Sequence, residues 1–454
     1  MITFKELAQA VNGQLTPNTA HGEISGVTTD SRNISRGDLF IALFGEKFDG
    51  HDFIEIAVNA GAACVLVHKD LSHVPAIPVI RVDDTRLALG RLAGWWRERH
   101  RVKLAALTGS NGKTTVKEMT AAILREASDD VSAVLATDGN FNNDIGMPLT
   151  LLKLRERHRY AVIEMGMNHL GELDYLTHIA KPDVALINNA HRAHVGEVGS
   201  VENIAKAKGE IYAGLKSDGV ALINIDDSFA PYWTELTAGR RQVTFGLGKA
   251  DVRCEYNEIP AGSAIRLTTP DGMIEATLHV PGEHNVRNAT AACAIATALG
   301  VRPDAIARGL SGYAGTKGRL QRKAGLNGAI VIDDTYNANP DSMAAAIAVL
   351  SKISGKKIFV MGDMGELGPD APAMHAEVGA LAKHAGVDSL FALGELTSRA
   401  VEAFGAGGQH FPSVAHLADA LQPLMKKDTT VLVKGSRFMR MERVVEVITM
   451  PVAH

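Results

Sequence analysis

The chain has 454 residues, which at roughly 100–200 residues per domain suggests two to four domains. Its 46% apolar content is enough for full cores, and a formal charge of −4 gives no basic footprint for nucleic acid. No apolar run approaches the about 20 residues of a membrane helix, so no membrane insertion is expected. The three cysteines, Cys64, Cys254 and Cys293, form no Cys-x-x-Cys pair. They read as free buried thiols of a cytoplasmic protein.

In chain order, Phe4, Leu7, Ala8 and Val11 fall at helical spacing, which reads as an amphipathic helix and not a signal peptide. Short strands and helices with Gly- and Asp-rich loops follow, to a charged helix over about Thr85–His100. A second segment opens on the apolar strand Lys103–Thr108. Strands at 131–136, 160–165, 184–188 and 220–225 then alternate with helices, the pattern of a mainly parallel sheet. Residues 242–280 read as an antiparallel edge, and a helix over 284–299 ends at Gly300. Gly312–Gly318 reads as a flexible hinge. Beyond it strands at 329–333, 357–361, 389–393 and 430–433, with helices at 342–350 and 372–384, form another α/β unit. The expected fold is α/β with three domains: a small N-terminal α/β domain over 1–100, a central P-loop ATPase-like parallel-sheet domain over 101–312, and a dinucleotide-fold-like C-terminal domain over 313–454.

The strongest chemical signal is Thr108-Gly109-Ser110-Asn111-Gly112-Lys113-Thr114-Thr115. Glycines let backbone N–H groups turn in on an anion, the following helix adds its positive end, lysine reaches the outer phosphates, and a hydroxyl suits Mg²⁺. Residue 107, where the longer form of this loop has glycine, is Leu. The short Gly-x-x-Gly-Lys-Thr form is therefore expected, with ATP and Mg²⁺ as its ligands.

Another residue stands out by its face. On a helix over 201–215, Val201, Ile204, Ala205, Ile211, Tyr212 and Leu215 form one apolar side with Lys208 near its centre. Lys206 lies opposite, between Glu202 and Glu210, where ion pairing explains it. A lysine on an apolar face either snorkels past it or serves a site. Glu164, at the end of an apolar strand, and His194, after the next strand, belong at the same C-terminal sheet edge as the glycine loop, where ligands bind in open α/β folds. His191 and His194 have no third ligand spaced for zinc, whereas a carboxylate and an imidazole beside Thr114 suit Mg²⁺.

With these residues goes a resemblance across essentially the whole chain. The glycine loop, Glu-Met-Gly (164–166), Asn-Ala-His-Arg-Ala-His (189–194), Ala-Lys-Gly-Glu-Ile-Tyr (207–212), Gly-Glu-His-Asn-Val-Arg-Asn (282–288) and Asp-Asp-Thr-Tyr-Asn-Ala-Asn-Pro-Asp-Ser (333–342) resemble the Mur ligase superfamily. That superfamily joins amino acids or peptides to the peptidoglycan precursor. Further marks resemble the member that adds D-alanyl-D-alanine to UDP-N-acetylmuramoyl-tripeptide: Asp30-Ser31-Arg32, Asp49-Gly50-His51, Asn140 to Gly146, Met361 to Gly368 and Val433 to Arg437. After His194 the family pattern has a bulky residue and then Glu-Gly, whereas this chain reads Val195-Gly196-Glu197.

The resemblance implies ATP and Mg²⁺ as cofactors and those two substrates as partners. It implies the N-terminal domain for the UDP substrate, the central one for ATP, and the C-terminal one for closure and the dipeptide. It implies Lys113, Glu164, His194 and Lys208 at the reaction centre, with Lys208 carbamylated. Thr114, Glu164, His194 and Lys208 would hold Mg²⁺, and residues 108–115, Asn285, Asn288, Arg319, Asp334 and Asn337 would bind nucleotide. For substrate it implies Ser31, Arg32, Asp49, Gly50, His51, Asn142, Asn143, Lys434 and Ser436. The chain is read as a monomer. Alternatives are a related ligase such as a folylpolyglutamate synthase, or a nucleotide-dependent scaffold. A GTPase lacks its guanine motif Asn-Lys-x-Asp here.

Overall fold

The computed structural model describes residues 2–73, 75–128, 130–193, 195–260 and 262–450. Three sheets carry the three domains expected. The first has five strands in the order Gln14–Thr16, Val79–Arg81, Cys64–Val67, Asp38–Ile41, Gly26–Thr28, parallel except for the first. The N-terminal helix, Phe4–Ala10, begins at a capping box, in which Thr3 and Glu6 each accept from the other's backbone. Its Phe4 and Leu7 are buried, in one apolar cluster with a face of the central sheet. The helix Thr85–Glu98 joins the two bodies: Trp96 donates to the Leu154 carbonyl and the buried Arg97 to that of Ala180.

The central sheet has nine strands, and its middle fixes the site. Lys103–Thr108 runs parallel between Tyr160–Glu164 and Val184–Ile187. The strand that follows it in sequence, Val134–Ala136, lies beyond Tyr160–Glu164. Leu104 to Leu107 are fully buried, as an apolar run with helices on both faces requires. The strand order therefore reverses at Lys103–Thr108, and the loops leaving its C-terminal end meet those of both neighbours.

Some expectations need correcting. Residues 242–280 are antiparallel only from Val252 onward. Arg241–Gly246 pairs parallel with Val220–Asn224, and Val252–Ile259 continues it in parallel through just two residue pairs. Asp226 guides that step by accepting from Leu247 and Gly248. The strand expected from Val131 starts at Val134, because the Asp130 carboxylate accepts from Ser132 and winds Val131–Ala133 into a 3₁₀ turn. The helix over 201–215 is α-helical only for Val201–Gly209 and continues as a 3₁₀ turn, Glu210–Tyr212. Glu210 accepts from Gly171 and Asp174 at the start of another helix, Glu172–Ala180.

The third sheet has six strands, parallel but for its Gln321–Ala324 edge, with apolar clusters on both faces. The helices Pro303–Ser311, Thr397–Phe404, Val414–Leu421 and Glu442–Ile448 add to those expected. The three cysteines are free and buried, and burial pushes the Cys64 and Cys293 thiols up to about 12. Among the described residues, no helix is long and apolar enough to cross a membrane.

Candidate active site between the central and C-terminal domains

The glycine loop follows Lys103–Thr108 and leads into the helix Lys113–Ser128. Gly112 has φ +79, and a Cβ there would stand 2.3 Å from Asn288 Oδ1 and 2.6 Å from Asn188 Nδ2, so only glycine fits. The loop is braced from the side by the segment after Val184–Ile187. Asn111 donates its N–H to Asn189 Oδ1 (2.8 Å), Ser110 donates its N–H to the Asn189 carbonyl (2.9 Å), and Ser110 Oγ exchanges hydrogen bonds with the backbone of His191. Lys113 Nζ folds back on the loop, donating to the Gly109 carbonyl at 2.6 Å. Burial lowers its pKa; the Glu164 carboxylate opposes that shift, and the Arg319 cation adds to it.

Glu164 ends its strand 2% exposed. Its Oε1 accepts from Asn142 Nδ2 at 2.8 Å, while its Oε2 is buried with no partner. Lys208 is also 2% exposed, whereas Lys206 is exposed. Burial, and then the nearby Lys113 cation, hold the Lys208 amine well below the ordinary lysine range. His194 lies outside the described residues.

The C-terminal domain reaches into the same cleft. Arg319 Nη2 donates to Thr114 Oγ1 at 3.1 Å, and its guanidinium stacks on Tyr336 at 4.2 Å from the ring centre. Asn339 Nδ2 donates to Asn111 Oδ1 at 2.7 Å. Lys434 Nζ sits 2.7 Å from Asp334 Oδ2 and donates to the Asn337 carbonyl, while Asp334 Oδ1 accepts from Leu320 N–H. The Asn337 side chain is exposed. Ser436 Oγ donates to the Ala338 carbonyl and accepts from Gly365, tying the strand end to the 363–368 loop. Asn288 accepts from Asn188 in the floor, and Asn285 donates to the Pro281 carbonyl at its own helix start.

The structure thus brings together Lys113, Thr114, Glu164, Lys208, Asn288 and Arg319, with Asp334 and Lys434 paired on the C-terminal side. The N-terminal candidates engage their own domain. Arg32 chelates Asp30 through Nε and Nη2 at 2.8 Å each. Asp49 accepts from His51 and pairs with Lys69, while His51 Nε2 accepts from His68 N–H. Beside them Phe44 and Phe48 stand 65% and 74% exposed. Asn143 accepts from Gly146 and Ile145, a helix-start role. Asn188, Asn189 and Asn339 also brace the loop, a role the sequence signals only by the density of asparagine around 188–189 and 337–339.

The donor set fits a magnesium ion held partly by phosphate. Among the described residues no group of three His, Cys, Asp or Glu could form an all-protein cage. A hydroxyl on Thr114 and an unpartnered buried oxygen on Glu164 leave the remaining positions to phosphate and water.

Three family models match the chain: Mur ligase family, catalytic domain, over residues 23–96; Mur ligase middle domain over 107–296; and Mur ligase, glutamate ligase domain, over 318–437. A relative from Escherichia coli strain K12 named UDP-N-acetylmuramoyl-tripeptide--D-alanyl-D-alanine ligase is 40% identical, with 98% of each chain covered. A crystal structure of MurF from Acinetobacter baumannii superposes with TM-score 0.92 at 40% identity, covering 98% of both chains. The MurF ligase from Thermotoga maritima, solved in complex with ADP, is 27% identical with TM-score 0.83, covering 93% of this chain and 96% of that one.

Proposed function

This chain belongs to the Mur ligase family, and we propose that within it the protein joins D-alanyl-D-alanine to UDP-N-acetylmuramoyl-tripeptide at the expense of ATP, as a cytoplasmic monomer. The observation that carries the reading is the meeting of Lys113, Thr114 and Arg319 across two domains, on a chain alike over nearly its full length to ligases of that name. Folylpolyglutamate synthase is set aside on the same full-length likeness.

The tripeptide's terminal carboxylate attacks the γ-phosphorus of ATP, giving an acyl phosphate and ADP. The dipeptide amine then attacks the acyl carbon, and phosphate leaves with the C–O bond electrons as the amine loses its proton. Such chemistry needs charge stabilisation and positioning more than covalent help from the protein. Lys113 leaves its loop carbonyls for the outer phosphates, and Arg319, hydrogen-bonded to Thr114, supplies a second cation from the opposite wall. Thr114 and Glu164 would hold Mg²⁺, which when bound would neutralise phosphate charge. The neutral amine of Lys208 adds to CO₂ and loses a proton, becoming a carbamate anion that with His194 would hold a second Mg²⁺. Asn288 and Asn285 flank the base, Asp334 takes the ribose with Asn337 beside it, and Lys434 and Ser436 orient the dipeptide side. Ser31, Arg32 and the Asp49–His51 turn take the uridine diphosphate end, with Asn142 and Asn143 toward the peptide. The domains run over 1–100, 101–312 and 313–454.

Lys113→Ala tests the reading. It should fold as the wild type does and lose at least about a hundredfold in ligation rate, the scale of removing a central charge stabiliser. Wild-type turnover by a folded variant would refute the assignment of the phosphate loop.

A further inference from the structure

Arg192 lies on the same segment that braces the phosphate loop, immediately after the Asn189–His191 contacts to Asn111 and Ser110. From there it grips the C-terminal domain. Its backbone N–H donates to Asp341 Oδ2 at 3.0 Å, and Nε and Nη2 reach Asp341 Oδ1 at 3.3 and 3.0 Å. Nη1 and Nη2 pair with the two oxygens of Glu377 at 2.9 and 3.0 Å. Asp341 is in the first turn of the helix Pro340–Ser351, whose cap, Asn339, itself donates to Asn111. Glu377 belongs to the next helix, Ala371–His384. A few residues on, Gly196 N–H donates to the Glu366 carbonyl, and a Cβ at Gly196 would stand 2.5 Å from Gly368 N. One planar guanidinium thus holds two helices of one domain through two carboxylates, a geometry an ammonium does not reproduce.

We propose that Arg192 is a positioning residue for the ligation: its clamp on Asp341 and Glu377 couples docking of the C-terminal domain to the brace behind the phosphate loop, so that nucleotide and dipeptide sites assemble together. The proposal rests on the ligase reading for its kinetic consequence and on the contacts alone for its conformational one. The clamp is half-buried, with Arg192 33% exposed by side chain, and both carboxylates raise its pKa, Glu377 first. The pair is partly exposed, so closure through this contact weakens as salt rises.

The test compares wild type, Arg192→Ala, Arg192→Lys, Glu377→Ala, the Arg192→Ala/Glu377→Ala double variant and a control, Arg266→Ala, whose partner Glu275 lies on the far antiparallel sheet edge. Arg192→Ala should lower kcat/KM for the dipeptide about tenfold, the scale of a half-buried charged network. KM for the UDP substrate and the melting temperature should stay near wild type. Arg192→Lys should recover only part, and the double variant should be no worse than Arg192→Ala alone. Small-angle scattering should show Arg192→Ala more extended than wild type, a readout that stands even if wild type makes no pentapeptide product. Unchanged kinetics and compactness in Arg192→Ala would overturn the proposal. So would equal losses for both substrates accompanied by a lower melting temperature, which would make Arg192 merely structural.

Discussion

Lys208 is a lysine whose surroundings oppose its own charge. It shares a buried face with Ile204 and Ala205, and its ammonium is disfavoured both by burial and by Lys113. An amine kept neutral is the form that can react with CO₂, and the product's negative charge suits a cation-rich cleft. Lys208→Ala should therefore lose most activity, and added acetate should restore part of it by standing in for the carbamate. Lys206→Ala, altered on the exposed side of the same helix, should turn over like wild type. Rates for the two variants with and without acetate decide this; a harmless Lys208 change and an inactivating Lys206 change would reverse the assignment. Lys208, the glycine loop and Glu164 were legible in the sequence because each breaks a local pattern: a charge on an apolar face, two glycines before Lys-Thr, a carboxylate closing an apolar strand. Asn189, Arg192 and Asn339 break none. Their partners lie 78, 149 and 228 residues away, and only the folded chain reveals those contacts.

At the level of elements, periodicity located the strands that matter, and the errors fall where a side chain outbids the repeat. Asp130 turns a strand start into a 3₁₀ turn, and Glu210 leaves its own helix to cap another. The helix Glu283–Ala298 carries a testable consequence of its position. Its first turn places His284 in the cleft, where the charges it faces are Asp334, Lys434 and Glu283. Burial is the dominant influence and pushes the imidazole from 6.5 down to about 4. Between those values the unfolded chain binds a proton that the folded chain refuses, so stability falls as pH drops through that window and levels off below it. Melting temperature should thus decline from pH 6.5 to about 4 more steeply in wild type than in His284→Gln. Parallel curves for the two proteins would mean that His284 is protonated without cost in the fold.

For the whole molecule, the central and C-terminal sheets assemble one cleft from parts that neither domain completes alone. The central domain brings Lys113, Glu164 and Lys208; the C-terminal domain brings Arg319, Asp334 and Lys434; Thr114 and Arg319 already touch across the boundary. The three-domain order could be read from alternating strands and helices, but the joint between the first two bodies could not. Arg97 and Trp96 bond to backbone carbonyls of the central domain, and a periodic pattern records only that a face is apolar. Mutually dependent domains are what a ligase needs if it is to protect an acyl phosphate from water until the amine arrives. The most direct test of the central claim supplies ATP, Mg²⁺, D-alanyl-D-alanine and UDP-N-acetylmuramoyl-tripeptide whose terminal carboxylate carries heavy oxygen, and follows both products by mass. One pentapeptide should form per phosphate released, and that phosphate should carry one heavy oxygen from the carboxylate. Phosphate released without pentapeptide, or pentapeptide formed with unlabelled phosphate, would contradict the account.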